Sequence, residues 1–281
     1  MDVAHLNVIY PAGIFALELK KKYGIPFILT EHWTAFLSIS PTNFSALEKH
    51  FIKKIGKEVS VFCPVSNDLK KAFEKIGFQG PYSIVPNVVD TNLFSLSEKK
   101  IAAPIKILNV STFKDDHKNI SGILRVIAKL QSRAAKFEVT MVGNKFGDQY
   151  DGLIQTLGIP NDCLSILPVV PSERIAELMR THHIFLLFSN YENLPCVIAE
   201  AHCTGMVAIG SDVGGTGEMI DNTNGVLVQA RDEESLLEKL NLVMDNLETY
   251  SPKEIRSKAV QRYSYESVSE AFIKIYEEVL A

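Results

Sequence analysis

At 281 residues the chain exceeds the usual size of one domain, so two domains are the natural reading of its length. Hydrophobic residues make up 46% and charged residues 22%, an ordinary balance for a globular protein with a full core, which excludes disorder as its organising principle. A net charge of −4 supplies no global positive field and so excludes nonspecific attachment to nucleic acid or to anionic lipid; any anion site must be local.

The four cysteines, Cys63, Cys163, Cys196 and Cys203, form no CxxC pair and no Cys/His cluster at zinc-ligand spacing. They read as buried thiols in a reducing compartment. No apolar run approaches the ~18 residues of a membrane span, and the first residues lack the layout of a signal peptide. The chain reads as cytoplasmic.

Short apolar runs alternate with helical patterns from the start, the signature of a parallel sheet covered by helices. VAHLNV ends a strand, AGIFALELKKKYG is a helix closed by Gly24, and IPFILTEH is the next strand. A helix around NFSALEKHFIKKIGK, the strand VSVFCPVS, the helix NDLKKAFEKIG and the run YSIVPN complete at least three β-α units. Between Asp90 and Pro104 periodicity is lost while charge and proline rise, the composition of a linker.

A second series follows: the strand IKILNVS, the helix SGILRVIAKLQSR, the strand FEVTMVG, the helix YDGLIQTLG, the run LSILPVV, the helix SERIAELMRTH and the strand IFLLFS. A helix holding Glu200, then MVAIGSDVGG, GVLVQA and two helices running to Ala281 close the chain. The expected class is α/β, with two Rossmann-like doubly wound parallel sheets, the first incomplete. The expected domains are residues 1–95, residues 105–262 and a terminal helix, 263–281, returning to the N-terminal domain. Such sheets bind ligands at strand carboxyl edges and between domains.

IFLLFS is continuous apolar sequence of strand length, and the loop NYENL sits at its carboxyl edge. Pro195 suits the first helical position, leaving the amides of Cys196 and Val197 at the helix start, where the dipole favours an anion such as phosphate. Glu192 precedes that helix and Glu200 lies two turns along it. Carboxylates on either side of a phosphate site suit a molecule with hydroxyls at both ends, as in a nucleotide sugar. On spacing alone, a solvated loop acid and a helix-surface acid remain the simpler reading.

The run SNYENLPCVIAEAHCTGMVAIGSDVGGTGEMI resembles the donor-site signature of the family 4 glycosyltransferases, GT-B enzymes that retain anomeric configuration; Glu192 and Glu200 match its E-x7-E pair. VGGTGEMI with NGVLV, VSNDLKKAF with IVPNVVDTNLF, and TEHW resemble further family segments in the family's order. The resemblance implies that Glu192 approaches the transferred sugar and that Glu200 holds the ribose. It implies donor contacts from Ser189, Asn193, Leu194, Cys196 and Val197. Lys118 matches a phosphate-binding lysine, but Thr112 stands where the family has arginine, a weaker grip unless Lys114 substitutes. Gly143 matches a glycine that allows close backbone approach to the nucleotide.

His32 in TEHW matches a histidine near the sugar, a catalytic candidate with Glu192 and Lys118. His5 and Asn7 read as structural, and core packing is preferred for Trp33 over stacking on an acceptor. No cofactor and no metal are expected; KDDH reads as a solvated turn. The partners implied are a nucleotide-sugar donor and a saccharide or lipid-linked acceptor, with no nucleic acid and with peripheral membrane association left open. Family members carry β-α units that precede this chain's first strand, including a glycine-rich loop, so an incomplete first sheet and self-association through it are expected. A nucleotide-sugar binding module without turnover is the alternative. A dinucleotide oxidoreductase is disfavoured because no GxGxxG follows an expected strand.

Overall fold

The computed structural model describes residues 1–37, 44–97, 101–131, 136–144 and 147–281. The expected helix start at residue 43, residues 98–100 of the expected linker and the expected helix end at 132–133 lie outside them. The chain divides into two compact units. One takes Met1–Val88, Glu192–Leu194 and Arg262–Ala281; the other takes Val89–Tyr191 and Pro195–Gln261.

The first unit is built on three parallel strands in the order β1 (Ala4–Asn7), β2 (Phe27–Glu31), β3 (Val61–Pro64). Helix α1 (Gly13–Tyr23) links the first two and stops where Gly24 turns left-handed (φ 69°) and returns its N–H to Lys20 O. Helix α2 (Ala46–Gly56) starts on a reciprocal cap between Ser45 and Glu48, and α3 (Asn67–Ile76) starts on Ser66, whose side chain accepts the Leu69 N–H.

The run YSIVPN does not become a strand. Phe62 N–H donates to Pro81 O, Ser83 N–H to Phe62 O and Val85 N–H to Pro64 O, the beginning of a parallel ladder on β3. Pro64 has no N–H to give back, so the ladder stops at the single bridge between Phe62 and Tyr82.

The second unit holds six parallel strands: β4 (Ile105–Val110), β5 (Phe137–Val142), β6 (Leu164–Leu167), β7 (Ile184–Leu187), β8 (Val207–Ser211) and β9 (Gly225–Val228), in spatial order β6-β5-β4-β7-β8-β9. The short helix α4 (Asp115–Lys118) and α5 (Ile120–Leu130) follow β4, α6 (Asp148–Leu157) follows β5, α7 (Ser172–Thr181) follows β6, and α8 (Cys196–Cys203) follows β7. Order reverses between β4 and β7, the switch point at which an open α/β sheet leaves a crevice.

Its core joins strand residues such as Ile107, Met141, Leu186 and Ile209 to α5 residues Ile120, Ile123, Leu124 and Ile127, spaced to share one helix face. Leu236, Leu240 and Val243 of α9 (Glu233–Asp245) pack into the same cluster.

After α9 come α10 (Pro252–Tyr263) and α11 (Tyr265–Leu280), three helices where two were expected. Ser264 makes the extra break: its backbone is extended and its side chain accepts the Ser267 N–H, capping α11. Val268 and Ile275 of α11 then join Ile28, Val61, Cys63 and Val85 in the core of the first unit.

Residues 89–94, expected in the N-terminal domain, are fastened to the second unit. The Arg256 guanidinium donates to the carbonyls of Thr91, Phe94 and Cys203, and Arg180 donates to that of Leu93. Arg256→Ala should cost about 2 kcal/mol through the lost charged hydrogen bonds, read as a melting temperature lowered by roughly 4–8 °C. Arg256→Lys should fall in between, because an ammonium cannot reach three divergent carbonyls.

Candidate functional site

At the switch point β4 and β7 pair only through Ile107–Ile184 and Leu108–Phe185. Beyond that the Asn109 side chain replaces the backbone rung, donating to Leu186 O (2.8 Å) and accepting from Ser111 Oγ (3.0 Å). The loop leaving β7 is tied down by Asn190. Its N–H donates to His117 O (2.7 Å), its Nδ2 to Asp116 O (2.9 Å), and its Oδ1 accepts from Arg231 Nε (3.1 Å). Arg231 adopts a left-handed backbone (φ 66°), rare for a side chain of that size. Tyr191 stacks flat on His117, ring centroids 4.1 Å apart. One asparagine therefore joins the loops after β4, β7 and β9.

The loop after β4 is also held from the β5 side. Asn144 Oδ1 accepts the Phe113 N–H (3.1 Å) and the Tyr150 hydroxyl donates to Phe113 O (3.1 Å). A Cβ on Gly143 would collide with the carbonyl oxygen of Ser111, so the close approach that this glycine serves is to the neighbouring loop. Thr112 and Lys114 are exposed, and Lys118, the last residue of α4, is half-buried. Of KDDH, Lys114 caps the short helix α4 and the next three residues open it, with Lys114 and Asp116 exposed.

Pro195 is the cap of α8 (φ −69°, ψ 109°) and not its first helical residue, as the sequence suggested. The first helical bond runs from Ile198 N–H to Pro195 O, placing the amides of Cys196 and Val197 ahead of it. Ser189, Glu192, Asn193 and Leu194 are all buried. Glu192 is thus no solvated loop acid. Ser66 Oγ donates to Asn193 Oδ1 (3.0 Å), and Asn193 Nδ2 is buried without a partner among the described residues.

Glu200 is half-buried on α8, and burial pushes its carboxyl up to about 7. No described residue donates a hydrogen bond to that carboxylate. The expectation of buried cysteines holds for Cys63 and Cys203, whose thiols burial pushes up to about 12. Cys196 is exposed and Cys163 half-buried, because both stand on outward positions, at the start of α8 and in the turn before β6.

In the first unit His32 is exposed at the carboxyl end of β2. The residue before it is one that the sequence did not single out. Glu31 is fully buried and accepts three backbone N–H groups, from Ile9, His32 and Trp33. Burial raises its carboxyl above the ordinary range while these donors pull it down. Trp33 departs from the expected core position: it is 44% exposed. His5 is structural, bonded to Tyr276 and to Thr30. Among the described residues no group of three His, Cys, Asp or Glu side chains is arranged to hold a metal ion, and no described helix is long and apolar enough to cross a membrane.

Asn144, Tyr150 and Asn190 were not legible because each acts on backbone groups distant in sequence, and Glu31 because its burial and its bond to the Ile9 N–H depend on the first sheet. For Asn144 and Asn190 a short polar residue just past a strand end was the sequence signal.

Residues 95–262 match the family Glycosyl transferases group 1, and residues 1–93 match Glycosyltransferase Family 4. The chain belongs to the group 1 glycosyl transferases. It is 24% identical over 306 residues to the MMP alpha-(1->4)-mannosyltransferase of Mycolicibacterium hassiacum, an alignment covering 100% of this chain and 71% of that protein. For other curated relatives the share of their length falls as low as 35%. Sucrose-phosphate synthase from Thermosynechococcus elongatus superposes with a TM-score of 0.83 at 17% identity, covering 99% of this chain and 73% of that one. The Anabaena HepE protein, solved in complex with UDP-glucose, gives 0.80 at 18% identity, covering 99% and 79%. At those identities the structures establish a shared GT-B fold, with the first sheet of this transferase the smaller.

The raised Glu200 carboxyl sets a sign for stability. From pH 4.5, its ordinary value, to about 7 the folded protein holds a proton that the unfolded chain has released. Its contribution is complete below that window and is lost as pH rises through it. The thermal midpoint of the ligand-free wild type should carry a component that falls across this range, and Glu200→Gln should remove that component.

Proposed function

We propose that this transferase moves a hexosyl group from a nucleoside-diphosphate donor to a hydroxyl acceptor with retention of anomeric configuration. The observation that carries the reading is Glu200, a half-buried carboxyl raised to about 7 with no described hydrogen-bond donor, on the helix that Glu192 precedes. Such a group is stabilised as an anion by hydroxyls brought to it, and two adjacent ribose hydroxyls are suited to this.

The diphosphate then falls to the opening amides of α8 at Cys196 and Val197, with the helix dipole and Lys118 offsetting the charge that develops as it departs. Glu192 orients the sugar. The bond from the anomeric carbon to the phosphate oxygen breaks, the bond to the acceptor oxygen forms on the same face, and the acceptor proton passes to the departing phosphate. No protein nucleophile and no metal enter this scheme. Ser189, Asn193 and Leu194 wall the sugar side. With Thr112 in place of an arginine, Lys118 carries more of the phosphate charge. The binding of UDP-glucose by HepE and the mannosyl transfer in the name of the Mycolicibacterium relative support a hexosyl donor.

Calorimetry with UDP-glucose and GDP-mannose tests the reading. Binding should release up to one proton below pH 7, because ribose hydroxyls lower the Glu200 carboxyl toward its ordinary value. Affinity should rise with pH up to about 7 and level off, and in Glu200→Gln it should be weaker and independent of pH. Glu192→Gln should retain binding while transfer falls roughly 100-fold. Binding by the wild type without turnover on any hydroxyl acceptor would select the binding module. No heat with either nucleotide sugar would remove the proposal.

A further inference from the structure

Trp33, the only tryptophan of the chain, is 44% exposed yet held on two sides. Its N–H donates to Glu31 Oε1 at 2.9 Å; the same carboxylate takes the His32 N–H at 3.0 Å and, through Oε2, the Ile9 N–H at 3.0 Å. The indole meets Phe44 at a steep angle, 78° with centroids 6.1 Å apart, which covers at most one of its faces. Phe44 lies against Phe36 (5.1 Å), and Phe36 stands edge-on to the buried Phe73 (5.4 Å, 89°). A row of aromatic rings thus runs from the core of the first unit to its surface and ends in an open indole.

This placement has a chemical reading. An exposed indole forgoes the burial that an aromatic side chain ordinarily gains. Its fixed backbone and anchored ring lose little further entropy when something lies on it. It follows the carboxyl end of β2, the edge at which parallel sheets bind ligands. Beside it, exposed His32 offers a ring nitrogen that donates and one that accepts.

We propose that Trp33 is the stacking platform for the saccharide ring of the acceptor, with His32 bonding its rim hydroxyls, on a loop positioned by Glu31. A pyranose presents an apolar C–H face and a polar rim, the combination that an indole and an imidazole side by side can take. The proposal rests on the transferase reading for the word acceptor, whereas saccharide binding at this loop stands by itself.

Because the chain has one tryptophan, fluorescence of the wild type excited beyond the absorption of its tyrosines reports on position 33 alone. Titration with methyl glycosides of glucose, galactose, mannose and N-acetylglucosamine should give a saturable change for at least one, and UDP alone should give none. Trp33→Leu should melt as the wild type does and bind the best glycoside roughly tenfold more weakly by calorimetry, with nucleotide-sugar affinity unchanged. Where transfer to that glycoside is observed, its KM should rise by the same factor at unchanged donor KM. No response to any glycoside, saturation by UDP alone, or undiminished glycoside binding by Trp33→Leu overturns the proposal. Failure of the donor reading shows separately, as absence of heat with nucleotide sugars, and leaves the glycoside titration to decide this one.

Discussion

The second unit depends on the hydrogen bonds of Asn190. Where β4 and β7 part, main-chain pairing ends after two residue pairs, and side-chain hydrogen bonds take over the loops at that edge. Asn190 has one N–H, one side-chain carbonyl and one NH2 group, and it spends all three on the loops after β4 and β9, joining both to its own loop after β7. The flat contact of Tyr191 on His117 adds to the same joint. The position of the short helix α4 relative to the end of β7 therefore rests on these side chains as well as on the sheet ladder.

Three glutamates show how burial divides a single chemistry into separate roles. Glu31 is sealed and supplied with three amide donors, so its carboxylate serves the backbone. Glu192 is buried at the carboxyl end of the β7 loop. Glu200 is half-buried with no described donor, and the desolvation that raises it to about 7 is uncompensated. Of the three, Glu200 would gain most from a ligand that donates hydrogen bonds.

Glycines and prolines at these edges are tied to packing and to the supply of backbone donors. Gly143 is needed because the Ser111 carbonyl lies against it, and Gly225 because the carbonyl of Ala208 does. Pro64 ends the first sheet's ladder by lacking a donor, and Pro195 caps α8 without adding an N–H to its start. Each of these limits where the backbone can offer amides, and so where an anion can be held.

Periodicity and caps were enough for the β-α alternation, the buried run of β7 and the stop at Gly24, because these rest on neighbours a few residues apart. The Glu192–Glu200 spacing and its family resemblance were legible for the same reason. The fate of YSIVPN was not legible because it depended on a proline in another strand, and Trp33 was misread because its exposure is set by the rings of Phe36 and Phe44 together with the Glu31 carboxylate. Asn190, Asn144 and Tyr150 were silent because their partners are backbone atoms that only the folded chain brings near. The sequence by itself determined what is local: the elements, their apolar faces and the motif along one helix. Tertiary structure decided which carboxylate is short of donors and which aromatic ring stays open, since both depend on which distant backbone groups and side chains the fold brings within hydrogen-bond or van der Waals reach.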